Sequence, residues 1–312
     1  MWLRAAQRAA IVAGMGGTLL SIGHGYCAQA LAGLLRPQGW RIVATTRSTE
    51  KAEALRAGGI EAVVWPGSPL APVLAGASHV LSSVAPDGEG DPVLRAAGDD
   101  IAVARHLAWV GYLSTTGVYG DHGGGWVDED TPPAPTGARG LARVAAEAGW
   151  RDVCTRAGVP LQIFRLAGIY GPGRGPFGRI RSGQAQRVIK PGQVFSRIHV
   201  ADIATALAAG MARPGTRADT GARIYNLCDD EPAAPQDVTA FAAGLLGLPP
   251  PPEVDFTTAP LSPMAREFYR DSRRVRNDRA KAELGWVPRY PDYRSGLRAV
   301  LAAEAGAGDQ RG

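Results

Sequence analysis

The sequence predicts an α/β protein, a doubly wound parallel sheet followed by a smaller C-terminal α+β lobe. Three observations carry that prediction. From Thr18 onward, apolar runs of strand length alternate with segments of helix length, the order that builds a parallel sheet covered on both faces. The first run passes into the first helical segment through the glycine turn Gly23-His24-Gly25. After Gly168 the chain becomes IYGPGRGPFGRI, dense in Gly, Pro and Arg, and the elements beyond it are shorter. With 312 residues, 45% of them apolar and 20% charged, the chain has the length of one large or two modest domains and a globular composition.

Residues 1–17 carry Arg4 and Arg8, no acids and a short apolar run, and read as an N-terminal extension. It is a targeting leader or a misplaced start, and the weak apolar segment 11–14 favours the latter. Strand TLLSIG (18–23), a helix over 26–36 and strand RIVATT (41–46) form a first βαβ unit. A helix then opens near Ser48, and strands follow at 61–65, 79–84 and 109–114. Asp91-Pro92 supplies a cap and a first-turn proline for another helix. An Ala-rich helix over 138–157 leads into strand PLQIFRL (160–166), which completes a first domain over 18–168. Residues 169–312 make mainly the second lobe, with some segments returning to the first domain. They contain a strand over 194–200, a helix from Asp202, a strand over 223–229, a helix from Gln236, a proline run at 249–252 and short helices over 277–304.

The basic residues exclude one class directly. The 34 divide into 31 Arg and three Lys, and Lys51, Lys190 and Lys281 follow Glu50, Ile189 and Ala280 rather than glycine, so a GK[ST] phosphate loop is absent. The net charge of +5 is spread without a nucleic-acid-binding signature. No apolar stretch approaches the roughly 18 residues of a membrane span. Cys27, Cys154 and Cys228 are odd in number and widely spaced, which supports neither a disulfide framework nor a CxxC clip and suits a reducing cytoplasm. The histidines lack HxxxH or HExxH spacing and no GxSxG elbow occurs, so neither a metal site nor a hydrolase nucleophile is expected. The expected partner is a small-molecule substrate, with no nucleic acid and no membrane.

Gly23-His24-Gly25-Tyr26-Cys27-Ala28 is GxGxxA, placed after a strand and opening a helix. In that Rossmann-type setting the first glycine permits the turn, the second lets a pyrophosphate approach the backbone, and the small third residue lets the helix close on the strand. All six residues, with Val84 at the end of a neighbouring strand, are candidate cofactor contacts; the plain alternative is a tight turn without a ligand. In NAD binders an acidic residue about 20 positions on holds the ribose 2′-hydroxyl. Here that place reads Thr45-Thr46-Arg47-Ser48. With no carboxylate and a guanidinium beside two hydroxyls, Thr46, Arg47 and Ser48 predict NADP in preference to NAD, unless Arg47 is only an exposed residue opening a helix.

At 110–130, VGYLSTTGVYGDHGGGWVDED, the chain resembles the short-chain dehydrogenase/reductase superfamily, in particular its extended, epimerase/dehydratase-like branch. FRLAGIYGPG (164–173), RIHVADIA (197–204), IYNLCDD (224–230) and LGW-P (284–288) agree with that branch in order. The resemblance implies that Thr115, four residues before Tyr119, holds the substrate oxygen. It also implies a Tyr and a Lys four residues apart on the next helix, but Arg139 and Arg143 stand there and no YxxxK occurs anywhere. An arginine is a poor general acid or base but can bind an oxyanion, so Arg139 is assigned to the substrate oxygen and Arg143 to the nicotinamide ribose.

Arg174, Arg179, Arg181, Arg187 and Lys190 lie in the segment that caps the substrate in the resembling family. Arginine forks suit carboxylates and phosphates, so an anionic or sugar-derived substrate is expected, with Tyr119, Arg174, Arg197 and His199 as candidate contacts. The leading reading is an atypical cytoplasmic NADP-dependent oxidoreductase or epimerase. The alternative is a non-catalytic NADP-binding regulator or sensor, which the loss of Tyr and Lys favours. The resemblance also implies homodimerisation through the helices near 95–106 and 138–157.

Overall fold

A computed structural model describes residues 16–216 and 221–309. Apart from Gly16 and Gly17, the extension expected over 1–17 lies outside the described residues. The first half of the chain forms β1 (Thr18–Ile22), α1 (Tyr26–Leu35), β2 (Arg41–Thr46), α2 (Thr49–Ala57), β3 (Glu61–Val64), α3 (Ala71–Ala75), β4 (His79–Ser82), α4 (Pro92–Val103), β5 (Trp109–Thr115), β6 (Trp126–Val127) and α5 (Ala138–Ala157). There follow β7 (Leu161–Leu166), β8 (Gly168–Tyr170), α6 (Phe177–Arg181), β9 (Arg187–Ile189), β10 (Arg197–His199), α7 (Val200–Ala212) and β11 (Arg223–Leu227). The chain ends in α8 (Pro235–Leu245), β12 (Glu253–Asp255), α9 (Pro263–Phe268), β13 (Arg274–Val275), α10 (Asp278–Leu284) and α11 (Tyr293–Asp309).

Seven strands make one sheet in the order β3-β2-β1-β4-β5-β7-β11, every neighbouring pair parallel. Parallel strands need crossovers, so both faces are covered and the strands read as continuous apolar runs. Alternate residues feed opposite layers. Leu19, Leu81 and Phe164 pack with Leu31 and Leu35 of α1 and Ile203, Leu207 and Met211 of α7. Leu20, Val80 and Ile163 pack with Val93 and Ile101 of α4 and Trp150 and Val153 of α5. A third cluster, with Phe177, Ile180, Val238, Tyr293, Leu297 and Val300, is the core of the second lobe. Burying such side chains stabilises by about 1.5–3 kcal/mol each.

The chain winds outward from β1 in both directions, through β2 and β3 on one side and β4 and β5 on the other. The crevice beyond the C-terminal ends of β1 and β4 is therefore the switch point at which such sheets bind ligands. Short parallel pairs β8–β10, β9–β12 and β6–β13 tie the second lobe together and to the loop after β5.

Two expectations are corrected. The strand over 194–200 shrinks to β10, because His199 accepts a hydrogen bond from the Ala201 amide through Nδ1 (3.2 Å) and caps α7, which starts at Val200 rather than Asp202. The C-terminal region ends not in short helices alone but in the 17-residue α11, whose Leu297 and Val300 complete the lobe core.

Candidate functional site

The glycine turn occupies the crevice at β1. Gly23 takes φ +76°, which favours glycine, and its amide donates to Thr45 Oγ1 at the end of β2 (2.8 Å). A Cβ on Gly23 would press on Val84, so the structure brings Val84 against the turn. A Cβ on Gly25 would meet nothing closer than 3.7 Å, and it would occupy the space in front of α1. No side chain caps α1, which leaves its first amides to a ligand. Ser82 and Ser83, at the end of β4, keep buried hydroxyls without partners among the described residues. An open cradle, uncapped amides and unpaired hydroxyls fit a dinucleotide.

The six turn residues divide between contact and support. Cys27 and Ala28 face the core, and burial pushes the Cys27 thiol up to about 11. His24 is buried, with Nδ1 at Ser21 Oγ (2.9 Å). Burial, aided by the charge of Lys51, lowers its pKa to about 4, so the ring is neutral. Lys51, which the sequence reading passed over, donates from Nζ to the His24 carbonyl (3.0 Å). At the end of β2, Arg47 is exposed and its side chain has no partner among the described residues, whereas Ser48 is engaged. The Ser48 hydroxyl accepts from the Lys51 amide as the N-cap of α2 and donates to Glu50 (2.5 Å). Thr46 is buried and accepts from the Ser48 amide. Arg47 and Lys51 are thus two cations that the fold places beside the turn.

Thr115 ends β5, and its Oγ1 accepts from the Gly117 amide (3.1 Å) as the cap of a tight turn over 116–119. Among the described residues the hydroxyl has no acceptor. Gly140 lets α5 close on that turn, since a Cβ there would crowd Pro135 and the Gly117 carbonyl. Arg139 is exposed in the first turn of α5. Arg143 is half-buried and Nη1 donates to the Leu113 carbonyl (2.7 Å) and the Tyr112 hydroxyl (3.0 Å). Tyr112 is no substitute for the missing acid, because it is wholly buried against Trp150 and burial pushes its hydroxyl up to about 12.

Behind this turn lies a network of polar groups that the sequence reading missed as a unit. Arg165 on β7, 1% exposed, forks onto Glu147 of α5 (3.0 and 2.7 Å) and donates from Nη1 to Tyr119 (3.0 Å). Ser114 donates to Glu147 (2.7 Å), Tyr119 donates to Asn226 (2.8 Å), and the Asn226 amide donates to Glu129 (2.7 Å). The available signal was Arg165 inside an apolar strand, with Glu147 one helical turn beyond Arg143.

Of the four candidate substrate contacts, Tyr119 is corrected to an internal residue: it is fully buried and its hydroxyl is held in that network. Arg197 is turned inward, with Nη1 donating to the Phe195 and Ala233 carbonyls (both 3.0 Å). His199 is the buried cap of α7, its ring between Tyr170 and Tyr290, and burial lowers it to about 4. These two are corrected to structural positions as well. Arg174 is exposed and without a side-chain hydrogen bond among the described residues, but it stands over Tyr26 of the glycine turn. Among the described residues no group of three or more His, Cys, Asp or Glu side chains could hold a metal, and no helix is long and apolar enough to cross a membrane.

No family model matches the chain. Protein YeeZ of Escherichia coli K12 is 29% identical over 283 residues, 87% of this chain and 95% of that protein. A 3-diazoavenalumate denitrifying reductase of Streptomyces sp is 29% identical over 213 residues, 65% of this chain and 66% of that one. Among solved structures, MoeE5 in complex with UDP-glucose and NAD superposes with TM-score 0.74 at 23% identity, over 93% of this chain and 99% of that one. The fold is the one shared by MoeE5, a UDP-glucuronic acid 4-epimerase from Bacillus cereus and a dTDP-glucose 4,6-dehydratase from Bacillus anthracis. Within it the chain belongs to the family of a functionally unknown conserved protein from Silicibacter pomeroyi DSS, 59% identical with TM-score 0.86 over 92% of this chain and 99% of that one.

Proposed function

We propose that the protein is an NADP-dependent oxidoreductase or epimerase acting at a carbonyl or alcohol carbon of a small, anionic or sugar-derived substrate. The observation that carries this reading is the open glycine cradle between β1 and α1 with Arg47 and Lys51 beside it and the Glu50 carboxylate held by Ser48. NADP, when bound, supplies the carbon that gives or takes hydride. Thr115 donates its free hydroxyl to the substrate oxygen, and Arg139 stabilises negative charge on that oxygen. Arg143, already fixed to β5 by Nη1, offers its remaining N–H groups to the ribose. Neither arginine can release a proton, so the proton comes from solvent. The Streptomyces relative, named as a reductase, and MoeE5, seen with NAD, support redox chemistry.

The presence of arginine at both places of the Tyr–Lys pair favours a second reading, a non-catalytic NADP-binding regulator. Titration with NADPH and NADH, followed by nicotinamide fluorescence and melting temperature, tests the common part of both. NADPH binds more tightly in the wild type, and Arg47→Ala reduces that preference by about tenfold or more, the worth of a charge-assisted hydrogen bond. Equal binding of the two nucleotides refutes the NADP assignment. Oxidation of NADPH by any member of a carbonyl-substrate screen, lost in Thr115→Ala, separates enzyme from regulator.

Three buried, unpaired cysteines suit a reducing cytoplasm. Homodimerisation would use the outer faces of α4 and α5, where Val103 and Leu141 are exposed. Sedimentation of a monomer at micromolar concentration removes that proposal.

A further inference from the structure

The loop after β8 belongs by sequence to the second lobe, yet it is fastened to the glycine turn. Tyr26, the first residue of α1, donates its hydroxyl to the Pro172 carbonyl (2.9 Å). Gly171 makes that approach possible, because a Cβ there would overlap the Tyr26 hydroxyl and Val200. Reciprocal backbone bonds between Gly171 and Arg174 (3.2 and 2.9 Å) close the loop, with Gly173 at φ +71°. The closure sets the Arg174 guanidinium 5.9 Å from the centre of the Tyr26 ring. Its charge is felt by both Tyr26 and Cys27, where it opposes the upward push of burial on their pKa values. The Arg174 side chain is exposed and has no hydrogen-bond or ion-pair partner among the described residues.

A guanidinium fork with all its donors unspent, held over the start of a helix that lacks a side-chain cap and follows an open glycine cradle, has an anion as its natural complement. We propose that Arg174 is a ligand of the cofactor pyrophosphate rather than of the substrate, and that Tyr26 is the latch that positions it. This rests on the dinucleotide reading of the site. It also gives the latch a purpose: the loop from the second lobe joins the cofactor site, so an occupied site holds the two parts of the molecule together.

The pyrophosphate is common to both dinucleotides, whereas the 2′-phosphate is not, and the two basic positions therefore separate cleanly. Wild type, Arg174→Ala, Arg174→Lys, Tyr26→Phe and Arg47→Ala are titrated calorimetrically with NADPH, NADH, ADP-ribose and adenosine 2′-monophosphate. Arg174→Ala weakens NADPH, NADH and ADP-ribose by one common factor of about tenfold or more and leaves adenosine 2′-monophosphate unchanged. Lysine restores part of the loss, and Tyr26→Phe reproduces a smaller share of it. Arg47→Ala gives the converse pattern, weakening NADPH and adenosine 2′-monophosphate alone. Unchanged ADP-ribose binding in Arg174→Ala overturns the assignment, as does an equal loss of adenosine 2′-monophosphate, which would mark a general disturbance. If the wild type binds none of the four, the dinucleotide reading falls and the assignment with it.

Discussion

Arg165 and Glu147 meet where water does not reach, and their value depends on staying together. Each is satisfied on several sides, by Tyr119 and Ser114 as well as by the partner. Removing one charge strands the other, at a cost of about 3–5 kcal/mol, while replacing both with apolar groups of similar volume costs far less. Glu147→Leu and Arg165→Met should each lower the denaturation midpoint strongly, and the double variant should recover most of the loss; additive losses would show that the pair is not the unit. Legibility followed the same physics. Local signals such as the GxGxxA turn and Arg47 could be read, because turn geometry and a missing carboxylate are properties of neighbouring residues. The Arg165–Glu147 partnership and the inward turn of Arg197 join distant parts of the chain, and no local pattern encodes them.

At the level of elements, α4 is tied to α5 through one carboxylate. Asp91 Oδ1 accepts from the Val93 and Leu94 amides (2.8 and 3.2 Å), and Oδ2 accepts from Trp150 Nε1 (2.9 Å). The sequence announced the cap through Asp91-Pro92, but not the reach to Trp150. Asp91→Ala removes the cap, worth about 0.5–2 kcal/mol, and also leaves a buried indole N–H unpaired, about 1–3 kcal/mol more. Asp91→Asn keeps acceptors for the amides and should cost less, an order that thermal melts of the two variants will check. The misread strand over 194–200 has the opposite character. Its apolar alternation suits a strand, yet His199 caps a helix there, and a histidine cap leaves a weaker mark in sequence than a serine or aspartate does.

Across the whole molecule, three histidines share one fate. His24 at the glycine turn, His79 in β4 and His199 at the second lobe are buried and lowered to about 4, burial being the main cause each time. A histidine depressed on folding adds stability above its unfolded pKa of about 6.5, and that stability is lost as pH falls through the folded value. Glu129 and Asp229, whose carboxyls burial pushes up, act in the opposite sense. The melting temperature should fall between pH 6.5 and 4, and His79→Phe, which keeps a ring between Trp40 and Trp109, should flatten the fall. An unchanged slope in that variant would remove His79 from the account.

The outermost strand of the sheet has a consequence for how the chain is made. β11 is supplied by residues 223–227 and lies along β7, which ends at Leu166. Until it arrives, β7 is an open edge of an apolar sheet, with its N–H and C=O groups unpaired on that side, and such edges recruit other chains. Ribosome-bound or truncated chains ending before Arg223 should therefore self-associate. Supplying residues 223–309 as a separate chain should suppress that association, because β7 is paired by sequence made late.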